Sequence, residues 1–220
     1  MKGLIMADSL LIVGAGGHCK SVLDAIPRNA YGNITLSDIT SRANFYVMGI
    51  PVTACDDDWE RIYNAGCHSA FIAVGSSKDA SKRIRIHQRL KQIGFSLPVV
   101  LDPSAVVSES AALAPGVFVG KKAVVNAQAG VGECAIINTA AIIEHDCALG
   151  EFVHVAPGAC LAGNVKVGRK AHIGIGAVVI EGISIGEEAV LGAGAVAVHD
   201  IPAGCTAVGI PAKPVKYGLR

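Results

Sequence analysis

The block Asn138-Thr139-Ala140-Ala141-Ile142-Ile143-Glu144-His145-Asp146 carries more chemistry than any other stretch of this chain. A histidine beside a carboxylate can be held in one tautomer and made more basic, which is what a general base needs. His145 is therefore a candidate base and Asp146 its partner. The same polar residues would also suit a solvent-exposed turn, and composition alone favours that alternative. His154 follows nine residues after His145, and His172 eighteen after His154. A three-histidine zinc site needs a close pair plus a third ligand. These gaps do not supply one, so no metal is expected.

A second loaded segment is Gly14-Ala15-Gly16-Gly17-His18, which follows the apolar run Leu10 to Val13. A glycine-rich turn between a strand and a helix presents backbone N–H groups and a helix dipole to an anion. The full dinucleotide fingerprint would need a third glycine where Cys19 stands, so the match is partial. Asp38 closes the next apolar run, where a carboxylate can accept from a ribose or a base; a capping role is the alternative. Gly75, Ser76 and Ser77 end a further run, Ala70 to Val74. Ligands bind at the carboxyl ends of parallel strands, so these three segments are expected to converge on one crevice.

The elements that hold these groups follow two different rhythms. From Val107 to Leu191 every sixth residue is Val, Ile or Leu, fifteen in succession. That beat predicts a parallel β-helix, a three-sided prism with one hexapeptide per face and eighteen residues per coil. Two positions earlier sits a small residue in most hexads, such as Ala123, Ala141 and Ala177. Residues two apart on an extended chain share a face, so both sets point inward. Ile137, Val155, Ile173 and Leu191 are expected to stack in one column. Glycines after the aliphatic position, such as Gly132 and Gly168, are read as serving corners with unusual dihedrals. After Leu191 the beat fades, and a tail begins at Pro202.

Before Pro98 the chain alternates short apolar runs with helical segments, which predicts a small doubly wound α/β domain with a parallel sheet. Its last strand is placed at Leu97 to Leu101, after a basic helix over Ala80 to Ile93. The expected domains are residues 1–100 and 101–220. A chain that is 51% apolar but only 5% aromatic fits a narrow prism filled by Val, Ile and Ala. The formal net charge of +1 gives no reason to expect nucleic acid or an acidic membrane surface. Seven cysteines without a CxxC pair suit a reducing, cytoplasmic setting. No apolar run approaches a membrane span, and Met1 to Asp8 lacks a full hydrophobic signal region, so neither membrane insertion nor export is expected.

Together the glycine turn, the Ile137-Asn138-Thr139 to Glu144-His145-Asp146 block, the hexads and the Gly209-Ile210-Pro211-Ala212-Lys213 tail resemble the NeuD/PglD-type sugar acetyltransferases. The resemblance implies a Rossmann-like nucleotide-sugar-binding domain followed by a left-handed parallel β-helix that binds acetyl-CoA, assembled as a homotrimer with CoA between adjacent prisms. It implies His145 as general base with Asp146 as its partner. Asn138 would position the reacting groups and His154 would lie near the thioester. Gly163, Ile175 and Ala193 would contact the CoA arm, and Lys213 its phosphates. Ala193 departs from the glycine of some relatives. Gly14, Gly16, Gly17, His18, Asp38 and Gly75 would hold the nucleotide sugar.

The implied reaction is N-acetylation of the 4-amino group of a nucleotide-linked amino-deoxy sugar, in surface polysaccharide biosynthesis. One alternative is O-acetylation of a sialic acid or related sugar. Another, of a different class, is a dinucleotide-binding protein that uses the prism as a trimerisation scaffold. A non-catalytic solenoid would carry flat repeated polar faces, commonly Thr-rich, which are not found here.

Overall fold

The computed structural model describes residues 8–39, 45–75 and 79–217. They form two compact units: one runs to Gly75 and resumes over Ser81–Pro98, and the other holds the chain from Val99 onward with the short piece before Ser81. Ser76 and Ser77 lie outside the described residues.

The first unit is an α/β layer. Its strands are β1 (Ser9–Val13), β2 (Asn33–Ser37), β3 (Tyr46–Val47), β4 (Ile50–Ala54) and β5 (Ser69–Ile72), in the order β3-β4-β2-β1-β5. All neighbours are parallel except β3 and β4, an antiparallel hairpin turned by Met48 and Gly49, both at positive φ. The helices are α1 (Gly17–Ala25), α2 (Trp59–Asn64) and α3 (Ser81–Ile93). Leu10, Leu11, Ile12 and Leu36 are fully buried, as strands packed on both faces require. The chain moves outward from β1 through β2 to β4, then returns to the other side of β1 as β5. That reversal places the switch point between β1 and β5, directly above the Gly14 turn. Leu97 to Leu101 is not a strand of this sheet. Ser96 makes only a bridge to Ser69, and Val100–Leu101 pairs with Phe118–Val119 as the first rung of the prism. An apolar run at a boundary serves whichever core lies beside it.

The second unit is a left-handed parallel β-helix, with two-residue rungs every six residues from Val100 to Ala197. Face I stacks Val106–Val107, Val124–Val125, Ile142–Ile143, Cys160–Leu161, Val178–Val179 and Val196–Ala197. Face II stacks Ala112–Leu113, Gly130–Val131, Ala148–Leu149, Lys166–Val167 and Ser184–Ile185. Face III runs from Val100–Leu101 through Phe118–Val119, Ile136–Ile137, His154–Val155 and His172–Ile173 to Val190–Leu191. The expected column Ile137, Val155, Ile173 and Leu191 is in register, and the tail strand Cys205–Val208 adds Ala207 beneath it. The inward residues form one continuous core, loosening at the first coil, where Val107 and Leu113 are half-buried, and at Ile183.

The glycine reading needs correction. Gly132, Gly150, Gly168, Gly174 and Gly186 do not adopt positive φ. Their constraint is close approach, since a Cβ on Gly132 would meet Gly150 C at 2.6 Å and one on Gly150 would meet Arg169 N at 2.6 Å, both on the next coil. The left-handed turn residues instead lie two positions later. They include Lys122, Gln128, Cys134, Ala140, Asp146, Phe152, Asn164, Lys170 and Glu188. Such a conformation costs a non-glycine residue about 1–2 kcal/mol. Most of these turns recover hydrogen bonding across coils, as in Asp146 N to Ala127 O (3.0 Å) and Asn164 N to His145 O (2.9 Å).

Candidate active site

The crevice of the α/β unit is built by strand ends. Gly14 turns at φ +105, and any Cβ there would lie 2.7 Å from Val74 Cγ2, so β1 and the end of β5 can approach only over a glycine. Gly16 and Gly17 open α1 with free space above them. Asp38 ties two segments together: its Oδ2 accepts from Ala15 N (3.2 Å) and its Oδ1 from Ile39 N (2.7 Å). A Cβ on Gly75 would sit 3.5 Å from that of His18, so the β5 end meets the start of α1. Cys19 is fully buried where a dinucleotide fold wants glycine, and burial with the nearby Asp38 charge pushes its thiol up to about 11. A cavity of about 430 Å³ opens here, lined by Gly14, Asp38, Asp56, Trp59, Lys82, Arg85 and Arg89 among others.

At the corner of the prism between faces I and II, His145 Nδ1 lies 2.7 Å from Asp146 Oδ2. The carboxylate can only accept, so Nδ1–H donates and Nε2 keeps its lone pair. The left-handed turn at Asp146 (φ 60) makes this contact between adjacent residues. Glu144 steadies the backbone: its Oε2 accepts from Asn126 Nδ2 (2.9 Å) and from His145 N (3.3 Å). The Asp146 hydrogen bond raises the His145 pKa above its ordinary value. Desolvation opposes that shift, and the Asp146, Glu144 and Glu181 charges add to it. One coil below, Gly163 lies under the imidazole.

The remaining expected site residues occupy a different corner. Asn138, Ile175 and Ala193 follow face III and precede face I, with His154 on face III beside them. Asn138 Nδ2 lies 3.3 Å from His154 Nε2, and Asn138 Oδ1 accepts from Thr139 N at 2.8 Å. His154 stacks edge-on against His172, centroids 4.9 Å apart, as one-coil spacing requires. Ile175 is 62% exposed, and the Ala193 amide packs so closely on Gly174 that a Cβ there would meet its nitrogen at 2.6 Å. Lys213 is exposed on the tail strand Lys213–Tyr217. One chain therefore unites His145, Asp146 and Gly163, and separately Asn138, His154, Ile175 and Ala193, without joining the two groups.

These two constellations have counterparts among known proteins. Residues 9–90 match the PglD N-terminal domain family. The perosamine N-acetyltransferase of Caulobacter crescentus, crystallised as a histidine variant with CoA and GDP-perosamine, is 36% identical with a TM-score of 0.89. The match covers 94% of this chain and 97% of that one. The chain belongs to the NeuD/PglD-type sugar acetyltransferases. The acetyltransferase domain of PglB from Neisseria gonorrhoeae FA1090, in complex with acetyl coenzyme A, is 38% identical with a TM-score of 0.85, over 95% of this chain and all of that one (100%). WeeI from Acinetobacter baumannii AYE, 24% identical with a TM-score of 0.81 over 94% and 99% of the two chains, shares the fold. No curated protein sequence matches the chain.

This acetyltransferase carries cavity residues that the sequence reading passed over. Lys82, Arg85 and Arg89 recur at helical spacing along one side of α3, and Arg89 lies 5.2 Å over the Trp59 ring. Trp59 is held by its Nε1–H, which donates to Ser37 Oγ at 2.8 Å in the core. The signal was present as three cations three and four residues apart, read only as a basic helix. Among the described residues of the acetyltransferase no three His, Cys, Asp or Glu side chains cluster as metal ligands, and no helix is long and apolar enough to cross a membrane.

Proposed function

We propose that the chain transfers the acetyl group of acetyl-CoA to the 4-amino group of a nucleotide-linked amino-deoxy sugar. The observation that carries this reading is the His145–Asp146 pair, 2.7 Å apart on an exposed corner with Nε2 free. The nucleotide is held in the α/β crevice, with the chain up to Pro98 serving as the nucleotide-sugar domain and the chain from Val99 as the acetyltransferase domain. Gly14, Gly16, Gly17, His18 and Gly75 line the approach to the phosphates, and Asp38 accepts from the ribose or base. Lys82, Arg85 and Arg89 add the positive charge a diphosphate needs. The relative that holds GDP-perosamine and CoA supports both ligand classes.

In the reaction, the sugar amine attacks the thioester carbonyl and forms the new C–N bond. His145 Nε2 takes the amine proton, and Asp146 stabilises the imidazolium. The C–S bond then breaks, and the imidazolium returns the proton to the departing CoA sulfur. A backbone N–H at the prism corner meets the oxyanion. Asn138 and His154 position the thioester, Ile175 and Ala193 line the CoA arm, and Lys213 faces its phosphates.

The two groups of residues flank face I, whose outward positions Val106, Val124, Ile142, Cys160, Val178 and Val196 are all apolar. Val106 is 64% and Val178 38% exposed in the single chain. Burying this strip against neighbours in a homotrimer brings His145 of one copy to the Asn138 corner of the next, with CoA at the seam.

The test is CoA release from acetyl-CoA with a panel of GDP-, UDP- and dTDP-linked 4-amino sugars, and with free and CMP-linked sialic acid. Release with an amino sugar is expected; release with sialic acid alone would move the acceptor to a hydroxyl. General-base help is worth roughly 10²–10⁴-fold. His145→Ala therefore loses turnover on that order while acetyl-CoA binds unchanged, and intact turnover would sink the assignment.

A further inference from the structure

Gly163 sits at the corner between faces I and II, one coil after His145 and one before Glu181. A Cβ placed on it would lie 2.7 Å from both Cε1 and Nε2 of His145 and 3.3 Å from Nδ1. Its φ is not positive, so the backbone itself does not demand glycine. The same column accepts Ala127 above His145 and Glu181 below Gly163, which shows that the corner tolerates side chains. This differs from Gly132, Gly150 and Gly174, where a Cβ would strike the backbone of the next coil. At Gly163 the three nearest atoms all belong to the imidazole.

We infer that Gly163 is a positioning residue whose missing side chain gives the His145 ring its seat, holding Nδ1 on Asp146 and Nε2 towards the reacting amine. The inference rests on His145 acting as the base, and it is separate from any contact that the Gly163 backbone makes with CoA, which alanine would leave intact. Ordinary van der Waals contact begins near 3.4 Å. A methyl at Gly163 therefore forces the ring to move by roughly 0.7 Å or more. Because the imidazole is the mobile end of an exposed side chain, it yields instead of the prism. The fold is spared and the geometry of the base is lost, and a misplacement of about 1 Å can cost on the order of 10²-fold in rate.

The experiment is Gly163→Ala in the full chain, read by turnover, acetyl-CoA affinity, thermal unfolding and NMR titration of His145. The expected result is kcat down by roughly 30- to 100-fold. Acetyl-CoA affinity and Tm stay at wild-type values, and the His145 pKa falls towards that of a free imidazole as the ring leaves Asp146. Turnover within twofold of wild type overturns the inference. So does lost turnover with an unchanged His145 titration, or a loss explained by weaker acetyl-CoA binding. His145→Asn run alongside separates the two ideas. If that variant keeps full turnover, the base reading fails, whereas the His145 titration in Gly163→Ala still reports whether the glycine seats the ring.

Discussion

Replacing Asp146 by asparagine keeps the shape of the His145 partner and removes only its charge. In the native pair Nδ1–H donates to Oδ2 at 2.7 Å, with the two side chains 56% and 50% exposed. The carboxylate hydrogen bond is the largest cause of the raised His145 pKa. A general base works when neutral, so the role proposed for His145 puts the acid limb of kcat/KM in the native enzyme above the ordinary imidazole value of about 6.5. In Asp146→Asn that limb moves to lower pH. The plateau also falls, because the imidazole is less basic and because an amide can rotate its NH₂ towards Nδ1 and favour the wrong tautomer. The ceiling on the loss is removal of the base itself, roughly 10²–10⁴-fold. Half-exposed partners are partly replaced by water, which puts Asp146→Asn near 10- to 100-fold. A raised histidine pKa stabilises the fold at pH below the unfolded value and ceases to do so as pH rises through the folded value. The variant therefore loses stability only in acid. The assay is thiol release from pH 5 to 9, for Asp146→Asn, His145→Ala and the double variant. Groups that act as one unit are non-additive, so the double variant matches His145→Ala. An unmoved acid limb, or multiplying losses, would refute the pairing.

Two further outcomes follow from the crevice and from face I. Arg85→Ala removes one cation from the wall of the α/β cavity while leaving the Arg89–Trp59 stack; KM for the nucleotide sugar rises roughly tenfold, the low end for a lost charged hydrogen bond, with kcat little changed in steady-state kinetics. Val178→Asp places a charge on the fifth of the six rungs of the apolar strip of face I; under the proposed assembly, sedimentation shifts from trimer to monomer and turnover falls by at least 10²-fold, although the inward Val179 and the prism core are untouched.

The prism was legible because its inward residues obey one rule fifteen times, and a column such as Ile137–Val155–Ile173–Leu191 follows from arithmetic once a coil is eighteen residues. Its turns were less legible. Left-handed φ falls on residues as unlike as Phe152, Lys170 and Ala140, because inter-coil hydrogen bonding and a fixed corner override local preference. Glycine marked close approach between coils, a tertiary constraint that one strand of sequence does not display. The β3–β4 hairpin escaped notice, since a two-residue strand carries no period. In the site, His145 and Asp146 were readable as neighbours. The contact of His145 with Gly163 needed the coil length to be applied to the site as well as to the core.

The half-coil between His145 and His154 is also what makes an assembly chemically necessary in this reading. Residues half a coil apart occupy different stations on the perimeter: His145 lies at the I/II corner, whereas Asn138 is at the III/I corner with His154 on face III beside it. No rotamer change carries a side chain from one station to the other, since a packed apolar face stands between them. In the proposed trimer, a neighbour rotated about the threefold axis does what the single chain cannot. A heterologous contact that closes after three copies pairs every I/II corner with a III/I corner and leaves no half-site over. In that arrangement each acetyl transfer draws its base from one protomer and its thioester-positioning groups from the next. Dissociation would then abolish turnover while every catalytic side chain stayed in place, which is why loss of the trimer and loss of His145 are expected to look alike in rate and different in sedimentation.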